Sequence, residues 1–123
     1  MSKTKELRRL IQSQLATIPG GTYHQHPAPD AAFPYKTFVL DRAAFTDARD
    51  DIYLDVDVWD KGTDAKAAED IADQVEALLG DVNLPAPPIY PTFFREYRYT
   101  LIDPDKTMKH IQLRFLVQLY EEE

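Results

Sequence analysis

Residues 51–81, DIYLDVDVWDKGTDAKAAEDIADQVEALLGD, change from a strand pattern to a helix pattern within one short turn. Apolar side chains alternate with polar or aromatic ones over 52–59, which predicts a strand with one buried face. From residue 64 onward apolar side chains recur every three or four positions, which predicts an amphipathic helix that ends at Gly80. Thr63 or Asp64 is the predicted N-cap. The stretch therefore predicts a strand and a helix that share one core.

The second face of the predicted strand is unusual for a surface. Two carboxylates and two large aromatics occupy it: Tyr53, Asp55, Asp57 and Trp59. Three kinds of site fit such a face, namely a catalytic carboxylate pair, a metal site, or a contact surface for another copy of the chain. The rest of the sequence has to distinguish them.

The composition limits the function classes. The chain has 123 residues, no cysteine and a net charge of −7, which is typical of a single domain (residues 1–123) in a reducing compartment. No apolar run is long enough to cross a bilayer and no signal-peptide pattern opens the chain, so we expect synthesis in the cytoplasm and no membrane partner. The acidic charge disfavours gripping DNA but allows DNA to slide past.

The remaining pattern predicts one further helix and three further strands. Residues 4–18 have a helical apolar stripe that ends at the PGG of 19–21. Strands are predicted over 35–41, 93–102 and 108–121, with the last two joined as a hairpin by the turn DPDKT. The loop 22–34 and the connector 84–91 are rich in proline. The predicted fold is therefore α+β, with an antiparallel sheet of about four strands and two helices on one face.

Catalysis and metal binding are weakly supported. Asp55 and Asp57 would place their carboxyls roughly 7 Å apart on one face, a spacing that suits a glycosidase-like pair or a divalent cation. His24 and His26, with Asp30 and the distant His110, offer a second candidate metal site. A serine triad is excluded because the chain's two serines, Ser2 and Ser13, lie just before and within the first predicted helix, where no oxyanion hole is expected. Nothing supplies the other parts of these sites, so no metal, cofactor or catalytic residue is predicted.

Aromatic and arginine residues are concentrated in the last third of the chain. The segment FFREYRY (93–99) interleaves tyrosines with Arg95 and Arg98, a composition that is enriched at protein interfaces. Simple alternation would place Arg95 and Tyr97 on the same face of this strand. We therefore predict a protein contact surface in preference to a substrate site.

Three segments resemble the tail-completion, or tail-terminator, proteins of long-tailed bacteriophages. They are YHQHPAPDAAFPYKTFVL (23–40), LDVDVWDKGTDAKAAEDIADQVEALL (54–79) and LIDPDKTMKHIQLRFLVQLYE (101–121), in the order in which that family has them. The chain departs from the family pattern at the proline connector 84–91 and lacks an arginine-rich segment before the hairpin.

The resemblance implies a structural protein without enzymatic activity. Such proteins form a ring, usually of six subunits, that caps the tail tube and joins the tail to the head connector or stopper protein, while DNA passes through the lumen. It implies a location in the tail or neck of the virion, after assembly in the host cytoplasm. Asp55 and Asp57 would then pair with a neighbour's arginine or line the lumen. The interface or lumen candidates are Tyr53, Asp55, Asp57, Trp59, Arg95, Tyr97, Arg98 and Arg114.

Three alternatives are open at this point. One is another neck component, such as a head-completion or stopper protein. Another is a small carboxylate- or metal-dependent hydrolase. The third is a nucleic-acid-binding module, which the negative net charge disfavours.

Overall fold

A computed structural model describes residues 3–45 and 49–121 of the chain. Within these residues it has two helices and six strands: α1 (Lys3–Leu15), β1 (Gly21–His24), β2 (Tyr35–Phe45), β3 (Arg49–Lys61), α2 (Lys66–Leu79), β4 (Val82–Asn83), β5 (Ile89–Ile102) and β6 (Met108–Glu121). The predicted α+β class and the four long strands are confirmed.

The strands form one mixed sheet in the order β1-β2-β3-β6-β5-β4. Strand β1 runs parallel to β2, and every other neighbouring pair is antiparallel. The four predicted strands are antiparallel to one another, as expected, but the prediction misses two short strands, and one of them, β1, makes the sheet mixed. The two missed strands have four and two residues, too few to show a two-residue period, and each lies beside a proline-rich segment that reads as loop.

The hydrophobic core lies between the two helices and one face of the sheet, called the inner face here. Alternate residues of β3 and β6 are buried there, as their pattern predicts. Because these side chains and the apolar stripes of both helices form one cluster, the helices cover a single face. The helix residues in the cluster are Leu7, Ile11, Leu15, Ala68, Ile71, Ala72, Val75 and Leu79.

The ends of α2 differ in detail from their prediction. The Asp64 carboxylate accepts a hydrogen bond from the Lys66 backbone N–H at 3.0 Å, although Ala65 occupies the N-cap position. At the other end Gly80 has φ −78°, and Asp81 takes the left-handed conformation at φ 57°. A side chain at Gly80 would place Cβ 2.5 Å from the Glu76 carbonyl oxygen. Glycine is therefore needed there for space and not for a left-handed backbone.

The junction after α1 is secured by a buried lysine. Lys36 of β2 is fully buried, and its Nζ donates to the carbonyl oxygens of Ile18, Pro19 and Gly20 at 3.2, 3.1 and 2.9 Å. Burial lowers the pKa of Lys36 to about 8. The three carbonyls satisfy the donors of a cation that would otherwise be costly to bury.

Candidate interaction surface

The outer face of the sheet, opposite the helices, brings together side chains from β3, β5 and β6. Register places Asp55 opposite Arg114, Asp57 opposite Gln112, and Trp59 opposite His110. Alternation along each strand gives these residues their common direction. The members that make specific contacts are Tyr53, Asp55, Asp57, Trp59, Tyr97, Tyr99, His110, Gln112 and Arg114.

Asp55 and Arg114 form a two-point ion pair. Arg114 Nε donates to Asp55 Oδ1 at 2.7 Å, and Nη2 donates to Oδ2 at 2.9 Å. The guanidinium lies over the Tyr53 ring at 4.5 Å and near the Tyr97 ring at 5.6 Å. The hydrogen bond to Asp55 raises the pKa of Arg114 above its usual value. Such a geometry fixes both side chains, because a planar fork meets a planar carboxylate.

Asp57 has a partner of its own. His110 Nε2 lies 2.7 Å from Asp57 Oδ1. The imidazole also stacks on Trp59, with ring centroids 3.6 Å apart and planes inclined by 18°. The carboxylate, the imidazole and the indole thus support one another across β3 and β6.

A β-bulge in β5 decides which aromatics join this face. Arg95 is opposite Phe115 and Tyr97 is opposite Arg114, so Glu96 is an extra residue. The bulge turns Tyr97 and Tyr99 outward, where their rings stack at 4.6 Å. Tyr97 Oη also donates to Gln112 Oε1 at 3.4 Å, and burial raises the pKa of Tyr97.

Both β5 arginines point toward α2: Arg95 does so by alternation with the buried Phe93, and Arg98 because of the bulge. Arg98 contacts Asp73 at 2.6 Å and Glu76 at 2.8 Å, while Arg95 contacts Asp81 at 3.3 Å. The expectation that Arg95 and Tyr97 share a face is therefore wrong, since alternation cannot register an inserted residue. Of the predicted candidates, the structure brings six together on the outer face and separates Arg95 and Arg98 from them.

The geometry disfavours acid–base chemistry by the two carboxylates. Asp55 and Asp57 each have a cationic or imidazole partner within 2.7 Å. His110 lies on the outer face with Asp57, whereas His24 packs against Phe38 at 5.1 Å near the edge of the sheet. Over the residues that the structure describes, no group of three or more histidine or acidic side chains is placed to hold a metal ion.

Gln112 and Tyr99 lie on predicted strands but are not among the predicted site residues, and His110 is considered only as a distant metal ligand. His110 and Gln112 alternate with buried residues on β6 in the same way as Arg114. The sequence therefore indicates that all three side chains point to the same face. The position of Tyr99 on the outer face depends on the bulge, which the sequence does not reveal.

No helix within the described ranges is long and apolar enough to span a membrane.

Comparisons with known proteins place this fold. A solved structure similar to it is a chain in the virion of a native gene transfer agent particle, with a TM-score of 0.68 and 14% sequence identity over 97% of this chain and 92% of that one. At this identity the likeness shows the fold. Among curated proteins, none matches the sequence.

The sequence itself matches a protein-family model. The model is described as tail completion protein gp17 and matches residues 7–119, from the first helix to the last strand. Because the match spans nearly the whole sequence, the chain belongs to the tail completion protein gp17 family, a family of structural proteins of bacteriophage tails.

Proposed function

We propose that the chain is the subunit of a ring that caps the finished tail tube, ends tail elongation and joins the tail to the head connector or stopper protein. The observation that carries this proposal is the family match over residues 7–119. Under it the protein is assembled in the host cytoplasm, resides in the tail or neck of the virion, and meets DNA only as DNA passes through the lumen.

The outer face supports a role in protein contact. It combines tyrosines and a tryptophan with carboxylates that have partners within the chain, since Arg114 neutralises Asp55 and His110 lies at hydrogen-bond distance from Asp57. Interface centres are enriched in aromatics and depleted of uncompensated charge. A lumen that repels DNA would need negative charge that is not neutralised. We therefore assign the outer face to contact with a neighbouring virion protein, and disfavour the lumen.

The test is particle assembly without the protein. Omitting its gene during particle production should leave tails of irregular length and heads without tails, as seen by negative-stain electron microscopy. Supplying the gene in trans should restore joined particles of uniform tail length. Normal tails that fail only at the head would instead favour the stopper or head-completion role. Normal, infectious particles would refute the proposal.

A further inference from the structure

The two edges of the sheet are stepped in opposite ways. At one edge β1 pairs with Tyr35–Phe38 of β2, and at the other β4 pairs with Thr92 and Phe93 of β5. Over the described part of the chain, these short strands leave residues 39–45 of β2 and 94–102 of β5 without a strand on their far side. Each edge therefore has one projecting end and one recessed end.

The end of the sheet where β1 projects beyond β2 is level with the end where β5 has no strand on its far side. One row of paired positions runs from Tyr23 through Thr37, Asp57 and Gln112 to Tyr99. Tyr23 thus stands on the projecting strand at the level where β5 is open. Tyr99 is 57% exposed there, on the outer face. An exposed tyrosine beside an open strand is a surface that a partner can bury.

The next row links the helices that flank the two edges. It runs from His24 through Phe38, Val56 and Leu113 to Arg98. At the His24 end lies a shallow groove of about 290 Å³ lined by α1 residues that include two arginines. At the Arg98 end lies α2, whose Asp73 and Glu76 bond Arg98. Both edges thus present a helix at the same level.

These helices carry opposite charge toward their edges. Arg8 and Arg9 lie on α1 beside β1, where Arg9 also pairs with Glu6 at 3.1 Å, and we call this side the basic edge. On α2 a stripe at spacings of four and three faces β5, and we call this side the acidic edge; its members are Glu69, Asp73 and Glu76. Glu69 and Asp73 are both exposed.

We infer that a second copy of this chain docks its basic edge on the acidic edge of the first, with Arg8 facing Asp73 and Tyr23 facing Tyr99. This contact joins two different patches, so each new copy offers the same free edge again and the series can close into a ring. The inference rests on the proposed function and names the joint that such a ring needs. The two edges have opposite charge, the projecting strand of one fits the open strand of the other, and Tyr99 is exposed at the same level. These features favour another copy of the chain as the binding partner.

Side chains carry most of this joint. At the free side of β1, Gln12 Nε2 donates to the Thr22 carbonyl at 3.1 Å, and the His26 N–H donates to the His24 carbonyl at 2.8 Å. These bonds occupy acceptors that a continuous sheet would use. The basic edge therefore meets β5 without extending the sheet by backbone hydrogen bonds. Ion pairs and aromatic contacts between side chains determine the affinity.

The test uses thiol crosslinking, because the chain has no cysteine of its own. A variant with both Arg8→Cys and Asp73→Cys is treated with a short bis-maleimide, alone and on assembled tails. We expect a ladder of covalent multimers on a denaturing gel. Each single variant should stay monomeric, and a mixture of the two single variants should stop at dimers, since each chain then has one reactive edge.

The matched control moves the second thiol off the stripe, three residues before Asp73 and about 60° around the helix from it. Asp70 is exposed on α2 but outside the stripe that faces β5, so Arg8→Cys with Asp70→Cys should give little ladder. Thermal unfolding of every variant checks that the fold is kept.

Charge reversal provides an independent measurement. Glu69→Lys with Asp73→Lys should weaken self-association at least about tenfold, because like charges then meet across the joint. Mixing this variant with one that carries Arg8→Glu and Arg9→Glu should restore association. Two outcomes overturn the inference: dimers from a single-thiol variant alone, or rings on capped tails without the Arg8–Asp73 crosslink. Rings without the crosslink would leave the proposed function intact, because the copies would then join through other surfaces. Tails that carry no ring of this protein would reject the proposed function itself.

Discussion

At the scale of single residues, the outer face depends on partners that neutralise each other. Asp55 and Arg114 are 14% and 30% exposed, so each would be left largely desolvated if the other were removed. A half-buried charge without its partner costs more than the pair contributes. The interaction between Asp55 and Arg114 can therefore be measured by comparing the stability of single and double variants.

We expect Arg114→Gln to lower the free energy of unfolding by about 1–3 kcal/mol, because Asp55 loses a charged two-point partner. Asp55→Asn should cost a similar amount. The double variant should lose less than the sum of the two, since neither charge is then left alone. Urea unfolding at neutral pH measures all three. Strict additivity would mean that the two side chains do not interact in solution.

Lys36 predicts a pH dependence of stability. Its pKa is about 8 in the folded chain and roughly 10.4 when unfolded. Between these values the unfolded chain binds more protons, so stability rises with pH through this group. The cost of burying the charged lysine is present below pH about 8 and is relieved above it.

The comparison is with Lys36→Met, which has no titrating group at this position. Relative to that variant, the wild-type free energy of unfolding should increase by roughly 2–3 kcal/mol between pH 7 and pH 10. Chemical denaturation at several pH values measures the difference. A difference that does not change with pH would show that the three carbonyl acceptors offset the burial completely.

At the scale of elements, the end of α2 is fixed by space. A Cβ at Gly80 would lie 2.5 Å from the Glu76 carbonyl oxygen and 2.8 Å from Arg95 Cδ. Gly80→Ala should therefore destabilise the fold by about 1–3 kcal/mol, as overpacking does. Gly62→Ala is the matched control, since nothing lies within 4 Å of its Cβ position, and its effect should stay within about 0.5 kcal/mol. Equal midpoints in thermal unfolding would contradict the close approach at Gly80.

The elements also show what the sequence can predict. Long alternating runs identified β3 and β6 together with their buried faces, because a two-residue period over many positions has one interpretation. The pattern is misleading at Glu96, where one inserted residue reverses the faces of Tyr97, Arg98 and Tyr99. It also failed at β1 and β4, whose pairing depends on distant strands and not on their own composition. The edges were therefore the part of the sheet that the sequence could not describe.

At the scale of the whole molecule, charge is distributed by face. The chain has a net charge of −7, yet the outer-face carboxylates Asp55 and Asp57 are bonded to Arg114 and His110, while α2 carries the exposed Glu69 and Asp70 beside the acids that bond Arg98. This distribution leaves one helical surface negative while the aromatic sheet face is available to protein partners. Such a molecule suits an assembly through which DNA passes without adhering.

DNA binding is the property that tests this view of the whole chain. We expect duplex DNA to bind more weakly than about 10⁻⁴ M at physiological salt, because residues 3–45 and 49–121 form no cluster of cations large enough to release many counterions. Fluorescence anisotropy with a labelled duplex, repeated at several salt concentrations, measures both the affinity and its salt dependence. Reversing the charge of α2 with Glu69→Lys and Asp70→Lys should strengthen binding, which shows that the assay can detect it. Micromolar binding by the unmodified chain, falling steeply with salt, would indicate a nucleic-acid-binding module and would place the DNA contact on the Arg8–Arg9 side of α1.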